Sequence, residues 1–382
     1  MKELERLPKL IRAVTVDDSL SFIEPSIDKL KSKFKLSILS SPGTNIDRIC
    51  AQYDIIGHRV YMYRRLSPLT DLISLCRLVK LFATEKPHIV HSMTPKAGLL
   101  CMMAAWITRV PRRIHTFTGL VWPTESGFIR RVLMVTDWLT CTCATHIIPE
   151  GFGVKHDLHS YITKKSMRVL GYGNVKGVDM RRCSRRPEVM ELANALREDS
   201  VFTFIFVGRI VSDKGINELV SAFTELSNKY NAVRLFLVGN SESDIDPISS
   251  NTQEKIDNNK AIYMVGPKYD DELLGYYAAS DCFVFPSYRE GFPNTVLEAG
   301  AMELPSIVTD INGSREIIKN GFNGLVIPAK NSDALHDAME SMLLRKSEIN
   351  KMGANARILV EERFNQNYVQ QCLLDFYEEV II

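Results

Sequence analysis

Apolar runs rich in β-branched and aromatic residues alternate with helical patterns along this whole chain, and they do so in two series. The first reads as strands at Ile11–Val16, Leu36–Ser40, Val60–Tyr63, His88–His91, Arg113–Phe117 and His146–Pro149, with helices such as Asp71–Glu85 and Lys96–Ile107 between them. The second repeats the scheme at Phe202–Val207, Arg234–Val238, Ala261–Val265, Cys282–Pro286, Ser306–Val308 and Gly324–Ile327. Such alternation builds parallel sheets covered by helices, so an α/β protein is expected. Between the series lies the Gly-rich stretch Val169–Asp179, followed by the basic run Arg181–Pro187. That shift in composition reads as a linker. The expected division is a first domain over 1–172, a linker over 173–196, a second domain over 197–365 and a last helix within 366–382.

Composition excludes several classes. The 382 residues, 45% hydrophobic and 24% charged, suit an ordinary globular protein. The longest apolar run, Ala97–Ile107, falls well short of the ~20 residues that span a bilayer. Lys2, Glu3, Glu5, Arg6 and Lys9 leave no apolar core for a signal peptide. The eight Cys include no CxxC pair, and Cys141-Thr-Cys143 reads as helix packing, so reduced thiols in a cytoplasmic setting are expected. Charge is uneven: residues 1–170 carry 25 Lys+Arg against 14 Asp+Glu, whereas residues 171–382 carry 22 against 31. The basic half suits an anionic surface or substrate. Its candidate patches are Lys29, Lys31, Lys33 and Lys35, then Arg64 and Arg65, Arg112 and Arg113, and Arg130 and Arg131. Aromatics are not interleaved with these cations and no nucleic-acid motif is present, so no nucleic-acid partner is expected.

The chemistry concentrates in Glu290-Gly-Phe-Pro-Asn-Thr-Val-Leu-Glu298, which follows a buried strand and opens a helix. First-turn N–H groups of Asn294, Thr295 and Val296 then face an anion above the helix. Glu290 can reach a polar ligand beside that anion, and Glu298, about a turn further, can accept from a ribose diol. Upstream, a strand ends in Gly208-Arg209 and Lys214-Gly215 opens the next helix. Arg209 can grip a diphosphate by forked hydrogen bonds and Lys214 as a point charge. Asp244-Ile-Asp246 has the form of a DxD metal site but lies in a polar stretch and reads as a solvated loop. With two cations and a helix terminus at the diphosphate, no metal or other cofactor is expected.

The Glu-x7-Glu run, the Gly-Arg-x4-Lys-Gly pattern and the later Gly313–Glu316 and Gly321–Gly324 segments closely resemble the retaining family-4 glycosyltransferases of GT-B fold. That resemblance implies two Rossmann-like domains facing across a cleft, with the last helix packing back on the first domain. It makes Arg209, Lys214, Gly291, Phe292, Pro293, Asn294, Thr295, Val296 and Glu298 donor-binding, and Glu290 catalytic. Further segments resemble one branch, whose members elongate polyprenyl-diphosphate-linked sugars, some as N-acetylgalactosaminyltransferases. These are Arg64–Asp71, Pro87–Gly98, Ile114–Gly119 and Val169–Asp179.

Two departures from the family pattern stand out. Thr118 occupies the place where many members carry a His that meets the transferred sugar, with His115 three residues earlier on the opposite strand face. His115 has two readings of equal weight, a sugar contact or a core histidine. The first loop, Asp17–Ser21, lacks paired Gly, which leaves Ser19 as a candidate at the substrate. The remaining acceptor-side candidates are His91, Thr94 and Lys96, expected where a strand ends and a helix begins, facing the cleft, and Arg64 or Arg65, which with Lys96 could meet the acceptor's diphosphate. Leu120–Pro123 and Phe128–Ile129 beside Arg130–Arg131 suit peripheral docking on a membrane. The expectation is a retaining, metal-independent transferase at the cytoplasmic face of the inner membrane. It would move a hexose or N-acetylhexosamine from a UDP-sugar to a polyprenyl-diphosphate-linked sugar. A nucleotide-sugar epimerase of the same fold and a non-catalytic UDP-sugar-binding subunit remain alternatives.

Overall fold

The computed structural model describes residues 7–63, 67–241 and 246–381. It divides into one unit of Met1–Gly177 with Gln366–Ile382, and a second of Val178–Asn365. Val178 and Asn365, the first and last residues of the second unit, bridge in parallel.

In the first unit the strands are β1 (Lys9–Ala13), β2 (Lys35–Ser40), β3 (Ile56–Arg59), β4 (Ile89–Met93), β5 (Arg112–Phe117) and β6 (His146–Pro149). They form one parallel sheet in the order β3-β2-β1-β4-β5-β6. The second unit holds β7 (Phe202–Val207), β8 (Val233–Val238), β9 (Ile262–Gly266), β10 (Cys282–Phe285), β11 (Ser306–Thr309) and β12 (Gly324–Ile327). Their order, β12-β11-β10-β7-β8-β9, is the same winding seen from the other edge. Each sheet therefore reverses direction once, between β1 and β4 and between β7 and β10. In a doubly wound sheet, ligands bind outside the strand ends at that reversal. β7 and β10, which flank it in the second unit, are buried at every position. A strand covered on both faces must read as an unbroken apolar run, and Phe-Thr-Phe-Ile-Phe-Val does.

The last helix, Gln366–Ile381, belongs to the first unit, where Leu373, Phe376, Tyr377 and Val380 join the core beneath β1, β2, β5 and β6. Within the span read as a linker, Pro187–Leu196 is a helix packed on the helix Asp270–Ala278 of the second unit, with Val189 and Ala193 buried. Pro187 at its first turn has no N–H to leave unpaired. The strand expected at Val60–Tyr63 is β3 instead, four residues earlier. Val60 and Met62 are buried, but their N–H groups go to the Ser40 carbonyl (3.0 Å) and Ser41 Oγ (2.9 Å), past the end of the ladder.

Candidate active site

In the second unit the loop after β7 and the loop after β10 meet at the sheet reversal. Beyond Gly208, Arg209 stands half-exposed, and the chain then makes a single 3-10 turn, Ser212–Lys214, before the helix Ile216–Lys229. Gly215 joins turn and helix at φ 73°, and a Cβ there would lie 2.1 Å from the Pro286 carbonyl oxygen. Only glycine permits both that backbone conformation and that approach. The close contact draws Lys214 onto the β10 loop, where its ammonium donates to Glu290 Oε1 and lies 5.7 Å from the centre of the Phe285 ring. Both side chains are largely shielded, 14% and 18% exposed.

Glu290 is held from below. Ser287 Oγ donates to Glu290 Oε1 at 3.1 Å, and Thr309 Oγ1 fixes the Ser287 carbonyl at 2.5 Å. On the far side of the loop, Gly313 sits at φ 75° with its Cβ position 2.4 Å from the Gly291 carbonyl oxygen. Gly291, Phe292 and Pro293 are buried and lead into the helix Asn294–Ala301. Thr295 and Val296 fall in its first turn, where N–H groups have no intrahelical acceptor by position. Glu298 is half-buried one turn on. It lies close enough to Tyr277 that, after burial itself, its charge is the next cause raising that phenol's pKa. Tyr277 in turn donates to the Thr295 carbonyl at 3.4 Å. Lys214, Glu290 and a helix terminus therefore lie together beyond the ends of β7 and β10, with Arg209 on the β7 loop, an arrangement that suits an anionic ligand carrying polyol groups.

Asp246 is not a free loop carboxylate. Its Oδ2 accepts from the Asp213 N–H at 2.6 Å and its carbonyl from Ser212 N at 3.2 Å, so it buttresses the turn that carries Lys214. Arg289 closes the same buttress on Asp213 Oδ2 at 3.2 Å. Asp244 lies outside the described residues. Among the described residues no group of three His, Cys, Asp or Glu is arranged to hold a metal.

The first unit corrects several acceptor-side expectations. His91 does not face outward: it is buried in β4, with Nδ1 against the Tyr377 hydroxyl and Nε2 2.7 Å from Thr116 Oγ1. Burial, with Arg12 beside it, holds this imidazole well below its usual range. His115 is a core residue. Its Nδ1 meets Ser92 Oγ at 2.9 Å, and its ring packs edge-on to Phe117 and beneath Gly98, where a Cβ would lie 2.4 Å from it. Burial lowers it to about 3, and the Ser92 backbone offsets part of that.

Thr94, at φ 70°, shares its hydroxyl with Thr15 (2.8 Å), and Thr15 Oγ1 takes the Ala97 N–H at 3.0 Å. Thr15 thus satisfies a first-turn N–H of the helix Pro95–Ile107, and Thr94, at the N-cap position, spends its hydroxyl on Thr15. Lys96 is not a surface charge but pairs with Asp71 Oδ2 at 2.5 Å. Ser19 lies half-buried in a 3-10 stretch, Asp17–Phe22, whose Asp17 carboxylate accepts from Asn45 and Ile46 N–H at 2.7 Å each. Thr118 is half-exposed just past β5. Arg64 and Arg65 lie outside the described residues. Leu120 and Trp122 are buried, which removes them from any docking surface, whereas Phe128 and Ile129 are exposed.

Residues that pattern alone did not single out include Ser287, Thr309, Asp213 and Thr15. Ser287, Thr309 and Thr15 are small polar side chains at or just past strand ends, and Asp213 lies in the turn before Lys214; those positions were the available signal.

The comparisons with known proteins identify the family and the fold. A domain described as "Glycosyl transferases group 1" matches residues 191–359, and a "Glycosyl transferase 4-like domain" matches 37–149. The capsular polysaccharide biosynthesis glycosyltransferase CapM of Staphylococcus aureus is 33% identical over 374 residues, covering 97% of this chain and 96% of that protein. The chain belongs to the family-4 glycosyltransferases of GT-B fold. Another member, the UDP-Gal:alpha-D-GlcNAc-diphosphoundecaprenol alpha-1,3-galactosyltransferase of Escherichia coli, is 28% identical over 84% of this chain and 82% of its own length. Among solved structures, HepE of Anabaena in complex with UDP has a TM-score of 0.80 at 15% identity, covering 97% of this chain and all of that one. That likeness confirms the GT-B fold of this family-4 glycosyltransferase.

Proposed function

We propose that this glycosyltransferase moves a hexose or N-acetylhexosamine from a UDP-sugar to a sugar carried on a polyprenyl diphosphate, in assembly of a surface polysaccharide. The observation that carries the reading is the meeting of Lys214 and Glu290 at the reversal of the second sheet, beside Arg209 and the Asn294 helix terminus. UDP as the nucleotide is supported by structural neighbours crystallised with UDP and UDP-glucose. The acceptor class is supported by the names of the E. coli relative and of a diphospho-undecaprenol N-acetylgalactosaminyltransferase of Campylobacter jejuni, 30% identical over 46% of this chain. A lipid-linked acceptor implies work at a membrane surface, on the cytoplasmic side where nucleotide sugars are made. Among the described residues no helix is long and apolar enough to cross a membrane.

In the proposed reaction the anomeric carbon loses UDP as positive charge develops on the sugar. Arg209, Lys214 and the first-turn N–H groups at Val296 stabilise the departing phosphate, and Glu290 steadies the sugar. Glu298 holds the ribose. The acceptor hydroxyl attacks from the face that the phosphate leaves, passes its proton to that phosphate, and the configuration is retained. The diphosphate meets two cations and a helix terminus, so the reaction is proposed to need no metal.

The test is a thermal-shift series with UDP, GDP, NAD and a panel of UDP-sugars in EDTA. It is followed by transfer assays on polyprenyl-diphosphate-linked acceptors. A shift with UDP, larger with one UDP-sugar, and acceptor-dependent turnover are expected. Conversion of the donor alone would mark an epimerase, and binding without turnover a non-catalytic subunit. Glu290→Ala should abolish transfer with folding intact, and Arg209→Ala should weaken UDP binding.

A further inference from the structure

On the first unit the helices Pro68–Glu85 and Gly127–Cys143 both pack against the helix Pro95–Ile107, one on each flank. Their outward faces are apolar. In the first, Leu69, Leu72 and Ile73 are exposed, Leu69 by 79%. In the second, Phe128, Val135 and Trp138 are exposed, by 81%, 54% and 50%. Positions 128, 135 and 138 recur at helical spacing, so they form one outward stripe, and 69, 72 and 73 form another. Packed helices run 8–10 Å apart, so the two stripes lie within about 20 Å of each other. Isolated exposed hydrophobics need no explanation, but two aligned stripes on flanking helices mark a docking surface.

The charges around these stripes select the partner. Arg77, Lys80 and Arg131 are exposed, and Arg130 lies with its guanidinium 5.5 Å from the Trp122 ring. The acidic residues of the same helices are engaged or half-buried. Asp71 is paired with Lys96 at 2.5 Å and Glu85 with Lys9 at 3.6 Å. Burial pushes Asp137 up to about 7. The face therefore presents apolar side chains with unpaired cations among them. A second copy docking by the same face would set those cations against one another, whereas an anionic lipid surface complements them.

We infer that the outward face of the helices Pro68–Glu85 and Gly127–Cys143 docks on an anionic bilayer, its apolar stripes entering the headgroup region and Arg77, Lys80, Arg130 and Arg131 meeting lipid phosphates. This deepens the proposed function, in which a polyprenyl tail holds the acceptor in a bilayer. Each of these helices follows the carboxyl end of a strand, so Leu69, Leu72, Ile73, Phe128 and Ile129 lie in turns at the end of the sheet where a doubly wound fold binds ligands. Docking by this face brings that end of the sheet to the lipid surface.

The test is co-sedimentation of the full chain with vesicles of phosphatidylcholine alone and with about 30% phosphatidylglycerol. Binding is expected to the anionic vesicles, weaker to neutral ones, and falling with salt. Phe128→Ser with Trp138→Ser, and separately Leu72→Glu with Ile73→Glu, should each cut that binding at least about 10-fold. Both variants should keep the wild-type circular dichroism and UDP-induced thermal shift. Vesicle binding equal to wild type in both variants would overturn the inference. So would a concentration-dependent dimer that these substitutions dissolve, with no vesicle binding by the wild type. Partitioning requires neither UDP nor an acceptor, so its failure leaves the donor reading standing, and an absent UDP shift leaves the docking result standing.

Discussion

Separating the roles of Lys214 and Glu290 gives the sharpest test of the active site, because without ligand they are each other's partner. Lys214→Met keeps an unbranched apolar stem and removes the ammonium, which lies 5.7 Å from the centre of the Phe285 ring. A hydrogen bond to a charged group contributes roughly 1.5–3 kcal/mol, so its loss should weaken UDP binding about 10- to 150-fold. Glu290→Gln should behave differently. The amide oxygen still accepts from Ser287 Oγ, now 3.1 Å away, so the loop keeps its anchor. Lys214 loses a competing carboxylate and becomes more available to phosphate. UDP affinity should therefore hold or rise, because the phosphate replaces the carboxylate as the partner of a largely shielded ammonium.

Transfer is a separate matter. Removing one preorganised group that stabilises developing charge costs about 2.7–4 kcal/mol, so kcat should fall roughly 100- to 1,000-fold. Titration calorimetry with UDP and single-turnover transfer on one lipid-linked acceptor measure the two quantities independently. Loss of UDP affinity in Glu290→Gln as large as that in Lys214→Met would refute the division of labour, because the carboxylate would then be positioning the phosphate clamp. Unchanged UDP affinity in Lys214→Met would remove Lys214 from the clamp.

Three further outcomes follow from the geometry. His115, lowered to about 3, is neutral when folded, while the unfolded chain protonates it near 6.5. Stability is therefore full above that pH and is lost on acidification down to about 3, some 2 kcal/mol from this residue by pH 5. The measurement is the imidazole NMR titration with urea unfolding at pH 7 and 5, and a midpoint near 6.5 in the folded protein would contradict the burial. Asp137, pushed up to about 7, has the opposite sign: it stays protonated in the fold while the unfolded chain ionises, so stability falls as pH rises from about 4 to 7. Asp137→Asn should raise Tm relative to wild type at pH 7.5 and not at pH 4, by the equivalent of about 1–2 kcal/mol because the residue is half-exposed. Gly313→Ala meets both a positive φ and the Gly291 carbonyl at 2.4 Å, so it should displace the Glu290 loop and cost about 1–3 kcal/mol, read as a lower Tm with lost UDP binding.

Both sheets were legible in the sequence because their central strands are buried on both faces. β7 and β10 leave no choice but continuous apolar runs, and such runs are visible without a structure. β3 was misplaced for the converse reason. It is an edge strand whose Ile56 and Arg59 are exposed and whose Gly57 and His58 are half-buried, so the apolar signal moved to the buried Val60 and Met62 beyond it. The donor-side residues were legible because each group is contiguous: Glu290 to Glu298 is one loop and one helix start, and Arg209 to Lys214 one strand end.

What contiguous sequence cannot carry is which distant elements become neighbours. Lys214 and Glu290 are 76 residues apart and meet only because β10 pairs with β7, so that the sheet reverses there. The same limit misled the reading of the histidines. At a strand end next to Ser or Thr, a His looks like a polar group presented to a substrate. His91 is instead satisfied from both sides, by Thr116 on β5 and by Tyr377 from 286 residues away on the last helix, and His115 by Ser92 on β4. A buried polar side chain must find its partners wherever the fold brings them. Local pattern identifies a residue able to do chemistry, but only the sheet order distinguishes one offered to a ligand from one already used by the core. On that ground Glu290, whose partners Lys214 and Ser287 lie at the reversal of the second sheet, remains the stronger candidate for catalysis than either histidine.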